Sequence, residues 1–195
     1  MINDENPLPA VYFIKKTKGD RFMNKKIMYI ITILSTAVLL FLDQIAKYLA
    51  VLHLKGQATI PIIKNVFELQ YLENQGAAFG IMQGKKTFFV IGTLIFLVIV
   101  VILYHNIPLT KRFTPIRIVA VLIVAGAIGN MIDRVVHQYV IDFFYFKLIN
   151  FPIFNVADIY VVVACILFIL LMLFYYKEEE LGQIFPFMKS KKAEE

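Results

Sequence analysis

Two aspartates, Asp142 and Asp158, are the residues of this chain best suited to shared acid–base chemistry. Fifteen residues, FFYFKLINFPIFNVA, separate them, and a segment of that length can loop out and return. If the loop brings the two carboxyl groups to hydrogen-bonding distance, they cannot both ionise easily and one retains its proton. The ionised partner can then take a proton from water while the neutral one polarises a peptide carbonyl. The pair therefore predicts aspartyl proteolysis.

Other catalytic centres have few candidate residues. The only serines, Ser35 and Ser190, lie far along the chain from both aspartates. His53, His105 and His137 are scattered without an HExxH pattern, and a single cysteine forms no thiolate cluster, so we expect no zinc site. The chain also has no glycine-rich phosphate-binding loop. We therefore expect neither a metal nor another cofactor.

Four long apolar segments must position these residues. Hydrophobic residues make up 59% of the chain and the mean hydropathy is +0.72, whereas soluble domains are rarely more than about half apolar. A bilayer core of about 30 Å requires roughly 20 apolar residues in a helix. The segments that approach or reach this length are Ile27–Tyr48, Phe88–Tyr104, Ile116–Val135 and Val156–Tyr176. The predicted fold class is mainly α, an integral membrane protein with four transmembrane helices.

The basic residues predict how these helices are oriented. The net charge is +6, and lysines and arginines are concentrated before the first span, between the second and third, and after the fourth. The positive-inside tendency then places both termini in the cytoplasm. Lysines in the opposite loops make this bias moderate. Because the charge follows the membrane topology, we expect no nucleic-acid partner.

The sequence divides into three parts. We expect residues 1–26 to form a cytoplasmic N-terminal extension, residues 27–176 the membrane domain, and residues 177–195 a charged cytoplasmic tail. The first span is too long for a signal peptide and no small-residue cleavage site follows it, so we interpret it as a retained helix. Residues 1–22 differ in composition from the rest, and Met23, followed by an asparagine and two lysines, has the character of a natural start.

The predicted topology brings four of the six aspartates of the chain to the outer membrane surface: Asp43, Asp133, Asp142 and Asp158. Asn130, Asp133 and Arg134 occur at i, i+3 and i+4 and so share one helix face. Asp43 and Lys47 form a similar i, i+4 pair on the first helix. Ionisable groups at membrane depth usually mark a functional site, although acids at the ends of spans can also simply be solvated by headgroups.

The first outer loop contains a predicted strand. In VFELQYLEN, residues 66–74, apolar and polar side chains alternate from Phe67 to Tyr71, which is the period of a strand. The stretch NQGAAFG follows, and its Gly76 and Gly80 suit a turn or a close backbone approach. We expect a small sheet at the outer interface with one apolar face; a plain hairpin is the alternative.

Five short motifs carry a family resemblance: DQIAK (43–47), NQGAAFG (74–80), GNMIDR (129–134), VIDFF (140–144) and FNVAD (154–158). Each is weak alone, but five in this order are very specific. With them the chain closely resembles the lipoprotein signal peptidase family, also called signal peptidase II, over residues 43–158. The resemblance implies a four-helix protease of the bacterial cytoplasmic (inner) membrane, with a small extracytoplasmic β-cradle.

The resemblance also implies a substrate and a set of roles. The substrates would be prolipoproteins whose lipobox cysteine already carries diacylglycerol, cut just before that cysteine by a cofactor-free monomer in contact with membrane lipid. By position, Asp142 and Asp158 resemble the catalytic dyad. The residues similar to those that hold substrate or position the dyad are Asn74, Gly76, Asn130, Arg134 and Asn155. The residues similar to structural supports are Asp43, Lys47 and Asp133.

Two alternatives remain open at the level of the residues. Asp133 competes with Asp142 as the partner of Asp158, although the adjacent Arg134 and Asn130 one turn earlier are partners that hold a carboxylate ionised. A small transporter could use the same acids as a cation pathway. Transport predicts polar residues through the whole bilayer, whereas the inner halves of the spans are almost wholly apolar.

Overall fold

A computed structural model of the protein describes residues 24–76 and 84–185. The proposed start at Met23, the extension before it and residues 186–195 of the predicted tail lie outside the described residues. Residues 77–83, which include most of the NQGAAFG motif, lie outside them as well.

Four helices in the described residues are long and apolar enough to cross a membrane. They are α1 (Lys25–Leu54), α2 (Lys86–Asn106), α3 (Thr114–His137) and α4 (Val156–Leu170), the last continued by a π-helical turn over Leu171–Tyr175. The prediction of a multi-pass membrane protein with four spans is confirmed.

Helix α1 extends beyond both ends of the predicted span Ile27–Tyr48. Asn24 caps its first turn, because the Asn24 Oδ1 accepts hydrogen bonds from two backbone amides of that turn, at 2.9 and 3.4 Å. At the other end the helix continues to Leu54, and both Ala50 and Leu54 are buried against neighbouring strands. The chain turns at Gly56, whose φ of +73° favours glycine.

Helix α3 packs against α1, α2 and α4 and so lies at the centre of the bundle. Its glycines permit this close approach. A Cβ added at Gly126 would lie 2.5 Å from the Ala157 carbonyl oxygen, and one added at Gly129 would lie 2.6 Å from Asp43 Oδ2. The glycines therefore allow α3 to lie directly against the start of α4 and against Asp43 of α1.

A three-stranded antiparallel sheet lies at one end of the bundle, where α4 also begins. This end contains the predicted catalytic aspartates, Asp142 and Asp158, and is called the site end. Its strands, in spatial order, are β1 (Ile60–Ile63), β2 (Phe67–Asn74) and β3 (Val140–Tyr145). The predicted small sheet is confirmed, and since β3 pairs with β2 the plain-hairpin alternative is wrong. Ile141 and Phe143 of β3 pack with Ala50 and Leu54, which holds the sheet on α1.

The opposite end of the bundle, called the far end, carries a short helix, α5 (Glu178–Ile184). Leu181, Ile184 and Phe185 are buried in a cluster with residues from the far ends of α1, α2 and α3. The sequence predicts only a charged tail here. The three apolar residues at i, i+3 and i+4 give the segment a buried face that its charge pattern does not reveal.

Candidate active site

The chain between the two predicted catalytic aspartates turns back on itself, as the sequence predicts. The backbone N–H groups of Phe143 and Phe144 both donate to the Phe154 carbonyl, at 3.0 and 2.8 Å, and the Phe154 N–H donates to the Phe144 carbonyl at 3.0 Å. These bonds close the base of an aromatic loop, residues 145–153. They bring Asp142, on β3, to the first turn of α4, which contains Asp158.

Asn155 connects the two aspartates directly. It is the N-cap of α4: its Oδ1 accepts a hydrogen bond from the Asp158 N–H at 3.0 Å, and its own backbone N–H donates to Asp158 Oδ2 at 3.0 Å. Its Nδ2 donates to Asp142 Oδ1 at 2.7 Å. One fully buried asparagine therefore caps the helix and holds both carboxyl groups.

Two further asparagines complete the contacts to the carboxyl groups. Asn130 Nδ2, on α3, donates to Asp158 Oδ1 at 2.8 Å. Asn74 Nδ2, at the end of β2, donates to Asp142 Oδ2 at 2.8 Å. All four carboxyl oxygens of the pair thus accept a hydrogen bond from Asn74, Asn130 or Asn155, and these three residues are called the amide clamp below.

The amide clamp has a defined orientation because each of its carbonyl oxygens also has a donor. Asn74 Oδ1 accepts from the Gly76 N–H at 3.0 Å. Asn130 Oδ1 accepts from Lys47 Nζ and from Asn155 Nδ2, both at 3.0 Å. Asn155 Oδ1 accepts from the Asp158 backbone N–H at 3.0 Å. Because every amide oxygen has a backbone or side-chain donor, each asparagine presents only N–H groups to the carboxyl oxygens. The network therefore specifies which end of each amide faces the carboxyl groups.

A buried cluster of charged residues from α1 and α3 contacts the amide clamp. Lys47 Nζ lies 3.0 Å from Asp43 Oδ2 and 2.9 Å from Asp133 Oδ2, and the same atom donates to Asn130. All three charged residues are at most 2% exposed. Buried charges of this kind persist only when they are paired and hydrogen-bonded, as these are.

The two carboxylates of this cluster also attach the elements that carry the catalytic candidates. Asp43 Oδ1 accepts from the Ala157 N–H at 2.9 Å, one residue before Asp158. Asp133 Oδ2 accepts from the Ile141 N–H at 3.1 Å, one residue before Asp142. Asp43 and Asp133 therefore each bind the backbone next to one aspartate of the pair.

Gln44 belongs to the same cluster, although it is not among the predicted site residues. Its Nε2 donates to Asp43 Oδ2 and to Asp133 Oδ1, both at 3.1 Å. The residue lies inside the DQIAK motif, beside Asp43, and this membership was the available signal. Neither its type nor its spacing indicates that it would bridge two helices.

Arg134 contacts the chain just after β2. Its Nη2 donates to the Gly76 carbonyl at 3.1 Å and its Nη1 donates to the Asn130 carbonyl at 3.3 Å. The guanidinium carbon also lies 4.7 Å from the centroid of the Phe89 ring, on the first turns of α2. Arg134, on α3, therefore contacts both Gly76, which follows Gln75 just after the end of β2 at Asn74, and the first turn of α2, next to the amide clamp.

The protonation of Asp142 is set by its surroundings. The side chain is buried, and burial, followed by the nearby charge of Asp158, raises the pKa of Asp142 to about 7. The hydrogen bonds from Asn74 and Asn155 and the charge of Lys47 oppose this rise in pKa without cancelling it. Near neutral pH, Asp142 therefore holds a proton for a large fraction of the time.

A cavity of about 570 Å³ adjoins the pair. One end is polar and includes both aspartates, Asn74, Asn130 and Arg134. The rest is apolar. Ile159, Val162 and Val163 contribute a stripe along α4, and residues of the aromatic loop form another wall. The cavity can therefore receive a polar peptide group beside the aspartates and a long apolar group along α4.

A metal centre finds no support in the part of the chain that the structure describes. Within residues 24–76 and 84–185, no three His, Cys, Asp or Glu side chains lie close enough together to hold a metal ion. That the protein works without a cofactor stays a prediction.

All ten predicted site residues lie in one connected network at the site end: Asp43, Lys47, Asn74, Gly76, Asn130, Asp133, Arg134, Asp142, Asn155 and Asp158. Eight of them lie on α1, β2, α3, β3 and α4, while Gly76 follows β2 and Asn155 is the N-cap of α4. The structure brings the residues together; their individual roles are taken up below as proposals.

The structure combines four apolar helices long enough to span a membrane with two aspartates held by one asparagine at one end. The family described as Signal peptidase (SPase) II matches residues 35–174, which contain the whole network. The chain belongs to this signal peptidase II family. It is accordingly a protease, and the transporter considered from the sequence is set aside.

Individual relatives are similar over most of their length. The lipoprotein signal peptidase of Caldanaerobacter subterraneus subsp. tengcongensis is 44% identical over 136 residues, which cover 69% of this chain and 90% of the relative. The lipoprotein signal peptidase of Clostridioides difficile is 43% identical over 141 residues, which cover 71% and 90%. A solved bacterial membrane enzyme, determined by the in meso method at 1.9 Å resolution, matches with a TM-score of 0.64 and 33% identity, covering 74% of this chain and 94% of that one.

Proposed function

We propose that this protein is an aspartyl endopeptidase that removes signal peptides from diacylglyceryl-modified prolipoproteins by cutting just before the lipidated cysteine. The family supports the reaction class, and relatives named lipoprotein signal peptidase support the substrate class. The observation that carries the assignment of Asp142 and Asp158 is the amide clamp, which gives every carboxyl oxygen of the pair an asparagine donor.

In the first step, the pair adds water to the scissile carbonyl. Ionised Asp158 takes a proton from a water molecule, whose oxygen attacks the carbonyl carbon. Asp142, whose raised pKa of about 7 leaves it protonated for a large fraction of the time near neutral pH, donates its proton to the carbonyl oxygen. The product is a neutral gem-diol, with Asp158 protonated and Asp142 ionised.

In the second step, the C–N bond breaks. Asp158 donates its proton to the leaving nitrogen, and Asp142 recovers a proton from a gem-diol hydroxyl as the carbonyl reforms. The signal peptide leaves with a new carboxyl terminus, and the lipidated cysteine leaves with a free amine. Both aspartates return to their starting protonation states, so the cycle needs no cofactor.

Asp133 is better suited to support than to catalysis. Its Oδ2 is 2.9 Å from Lys47 Nζ and accepts from the Ile141 N–H, while its Oδ1 accepts from Gln44. Both oxygens of this carboxylate are therefore occupied by donors from the protein. Asp142, by contrast, faces the cavity beside Asp158.

The apolar part of the cavity provides a place for the substrate's acyl chains. Ile159, Val162 and Val163 follow Asp158 on one stripe of α4, so a chain that lies along them has its attached cysteine close to the pair. Each methylene buried in an apolar environment contributes roughly 0.8 kcal/mol. The lipid would therefore supply binding energy and also position the bond that is cut.

We also propose a location and an oligomeric state. With Lys111, Arg112 and Lys177 at the far end, the positive-inside tendency places that end in the cytoplasm and the site end outside, in a bacterial cytoplasmic membrane. The partners are then prolipoproteins and membrane lipid, with no role for nucleic acid. Since one chain contributes every residue of the network, a monomer suffices.

The experiment that tests this function uses purified protein in detergent with a prolipoprotein in two forms, with and without diacylglycerol. We expect cleavage of the lipidated form, a product that begins with the modified cysteine, and no change on adding a chelator. The unlipidated form should be cut far more slowly. Equal rates on both forms, or loss of cleavage with chelator, would contradict the proposal.

A further inference from the structure

Phe89 lies against a group that contacts the clamp. It is the fourth residue of α2, which begins at Lys86. Its ring centroid is 4.7 Å from the Arg134 guanidinium carbon. A guanidinium at this distance from an aromatic face is attracted by the ring's quadrupole. Within the described residues, Arg134 belongs to none of the five ion pairs, and the Phe89 ring is an aromatic contact of its guanidinium.

A chain of contacts connects this ring to Asp142. Arg134 Nη2 donates to the Gly76 carbonyl at 3.1 Å, and the Gly76 N–H donates to Asn74 Oδ1 at 3.0 Å. Asn74 Nδ2 then donates to Asp142 Oδ2 at 2.8 Å. Gly76 is therefore held on its carbonyl side by Arg134 and on its amide side by the clamp.

We propose that Phe89 is a positioning residue for the reaction: its ring holds Arg134 against the Gly76 carbonyl and so keeps Asn74 on Asp142. The proposal rests on the proposed function for its effect on catalysis, but its structural part concerns Gly76 alone. Phe89 acts through Arg134 and is not among the residues that line the cavity beside the aspartates.

The neighbouring phenylalanine offers a matched control. Phe88 is 60% exposed, and its ring contacts Phe89 edge-on at 5.7 Å. Phe88→Leu removes the same atoms from the same helix turn without touching Arg134. Phe89→Tyr keeps the ring, whereas Phe89→Leu removes it. A comparison of the three variants separates the ring's contact with Arg134 from general packing of α2.

The expected result for Phe89→Leu is a fall in kcat of roughly two- to thirtyfold, the range that a cation–π contact supports. Hydrogen exchange at the Gly76 amide should rise by a factor in the same range. Phe89→Tyr and Phe88→Leu should both stay close to wild type.

The pH profile gives a readout that simple loss of packing would not move. The Asn74 hydrogen bond lowers the pKa of Asp142, so loosening Asn74 should raise that pKa and shift the alkaline limb of the kcat profile to higher pH. The charged groups that face Asp142 are Asp158 on α4, Lys47 on α1 and Arg134 on α3. Withdrawal of the Arg134 charge would shift the limb in the same direction.

The proposal is overturned if Phe89→Leu matches Phe88→Leu in kcat, alkaline limb and Gly76 exchange. It is equally overturned if Phe89→Leu loses activity with an unchanged limb and unchanged exchange, or if Phe89→Tyr loses as much as Phe89→Leu. If wild-type protein does not cleave the lipidated precursor, the proposed function fails separately, and hydrogen exchange at Gly76 still decides whether Phe89 helps to hold Gly76.

Discussion

At the scale of single residues, asparagine supplies a donor to every carboxyl oxygen of the Asp142 and Asp158 pair. An asparagine side chain offers two N–H donors and one carbonyl acceptor. Asn74, Asn130 and Asn155 each direct N–H groups to the carboxyl oxygens, while the side-chain oxygen of each accepts from a backbone N–H or from Lys47. An aspartate at any of these positions would replace a donor with a further negative charge beside the pair, which explains the residue type.

The first prediction concerns the two catalytic candidates. Asp142→Asn and Asp158→Asn should each lower cleavage of the lipidated precursor by at least about 10²–10⁴-fold, the range expected for loss of a general acid or base. The double variant should be no worse than either single one, because the pair acts as a unit. Each variant should still insert into the membrane and unfold in a cooperative transition like that of the wild type.

Asp133→Asn is the contrasting variant. It weakens the contact to Lys47, which is buried, and should lower the free energy of unfolding by about 1–3 kcal/mol while some cleavage remains. A stable but inactive Asp133→Asn protein, together with substantial activity in Asp142→Asn, would require the pair to be redrawn as Asp133 with Asp158.

The second prediction concerns pH. Because the pKa of Asp142 is raised to about 7, its proton is lost above that pH and cleavage should decline along an alkaline limb centred near 7. The folded protein also holds this proton up to about pH 7, whereas an unfolded chain loses it near the ordinary value of 3.8. The contribution of Asp142 to stability is therefore present at acidic pH and lost as pH rises from about 4 to 7.

Thermal unfolding of wild type and Asp142→Asn at several pH values measures the stability part of this prediction. The wild-type melting temperature should fall relative to that of the variant between about pH 4 and 7. Parallel curves for the two proteins, or a cleavage rate that stays flat through pH 8, would show that Asp142 does not carry a raised pKa.

At the scale of elements, the close approach of α3 and α4 positions the pair. The third prediction is that Gly126→Ala lowers both stability and cleavage, because the added Cβ would lie 2.5 Å from the Ala157 carbonyl at the first turn of α4. Forcing the helices apart should cost about 1–3 kcal/mol of unfolding free energy. Gly92→Ala, whose Cβ would meet nothing within 4 Å, is the control and should be neutral or slightly stabilising. Equal behaviour of the two variants would contradict the packing argument.

The fourth prediction concerns α5 at the far end. Ile184 is 1% exposed, so Ile184→Ala should lower the free energy of unfolding by about 2–4 kcal/mol. Since α5 lies at the opposite end from the site, the alkaline limb of the cleavage profile should not move. Glu179→Ala, on the exposed face of the same helix, is the control and should be near neutral. A neutral Ile184→Ala would mean that α5 does not pack on the bundle.

At the scale of the whole molecule, the orientation in the membrane decides where the substrate is cut. The fifth prediction uses a Cys165→Ser background and single cysteines placed by Gln57→Cys at the site end or Gln183→Cys at the far end, both exposed positions. In right-side-out membrane vesicles, an impermeant thiol reagent should label only the first. Inverted vesicles should give the reverse, and labelling of Gln183→Cys from outside would overturn the proposed topology.

Much of the architecture could be predicted because membrane constraints act locally. A bilayer of fixed thickness requires runs of about 20 apolar residues, so composition alone indicates the four spans. Helical spacing likewise predicts that Asn130, Asp133 and Arg134 share a face. The path of the aromatic loop follows from its length and from the need to return to the membrane.

The remaining features depend on contacts between distant segments. The pairing of β3 with β2, the bridge made by Gln44 and the place of Phe89 under Arg134 join residues that are 40 or more positions apart. Periodicity in sequence reports which face of an element is apolar, but not which partner covers that face. The buried side of α5 escaped prediction for the same reason, since three apolar residues beside a run of charges form too short a pattern.

The sequence by itself determined the class of the protein, the number of spans and the identity of the residues that meet at one end, because hydrophobic length and motif order are properties of the chain alone. Only the tertiary structure shows the contacts on which the choice between Asp133 and Asp142 rests. That choice depends on which carboxylate is paired: Lys47 lies 2.9 Å from Asp133, while Asp142 is held by amides beside the cavity. A carboxyl group's proton affinity follows from its burial and its partners, and these exist only after the chain has folded.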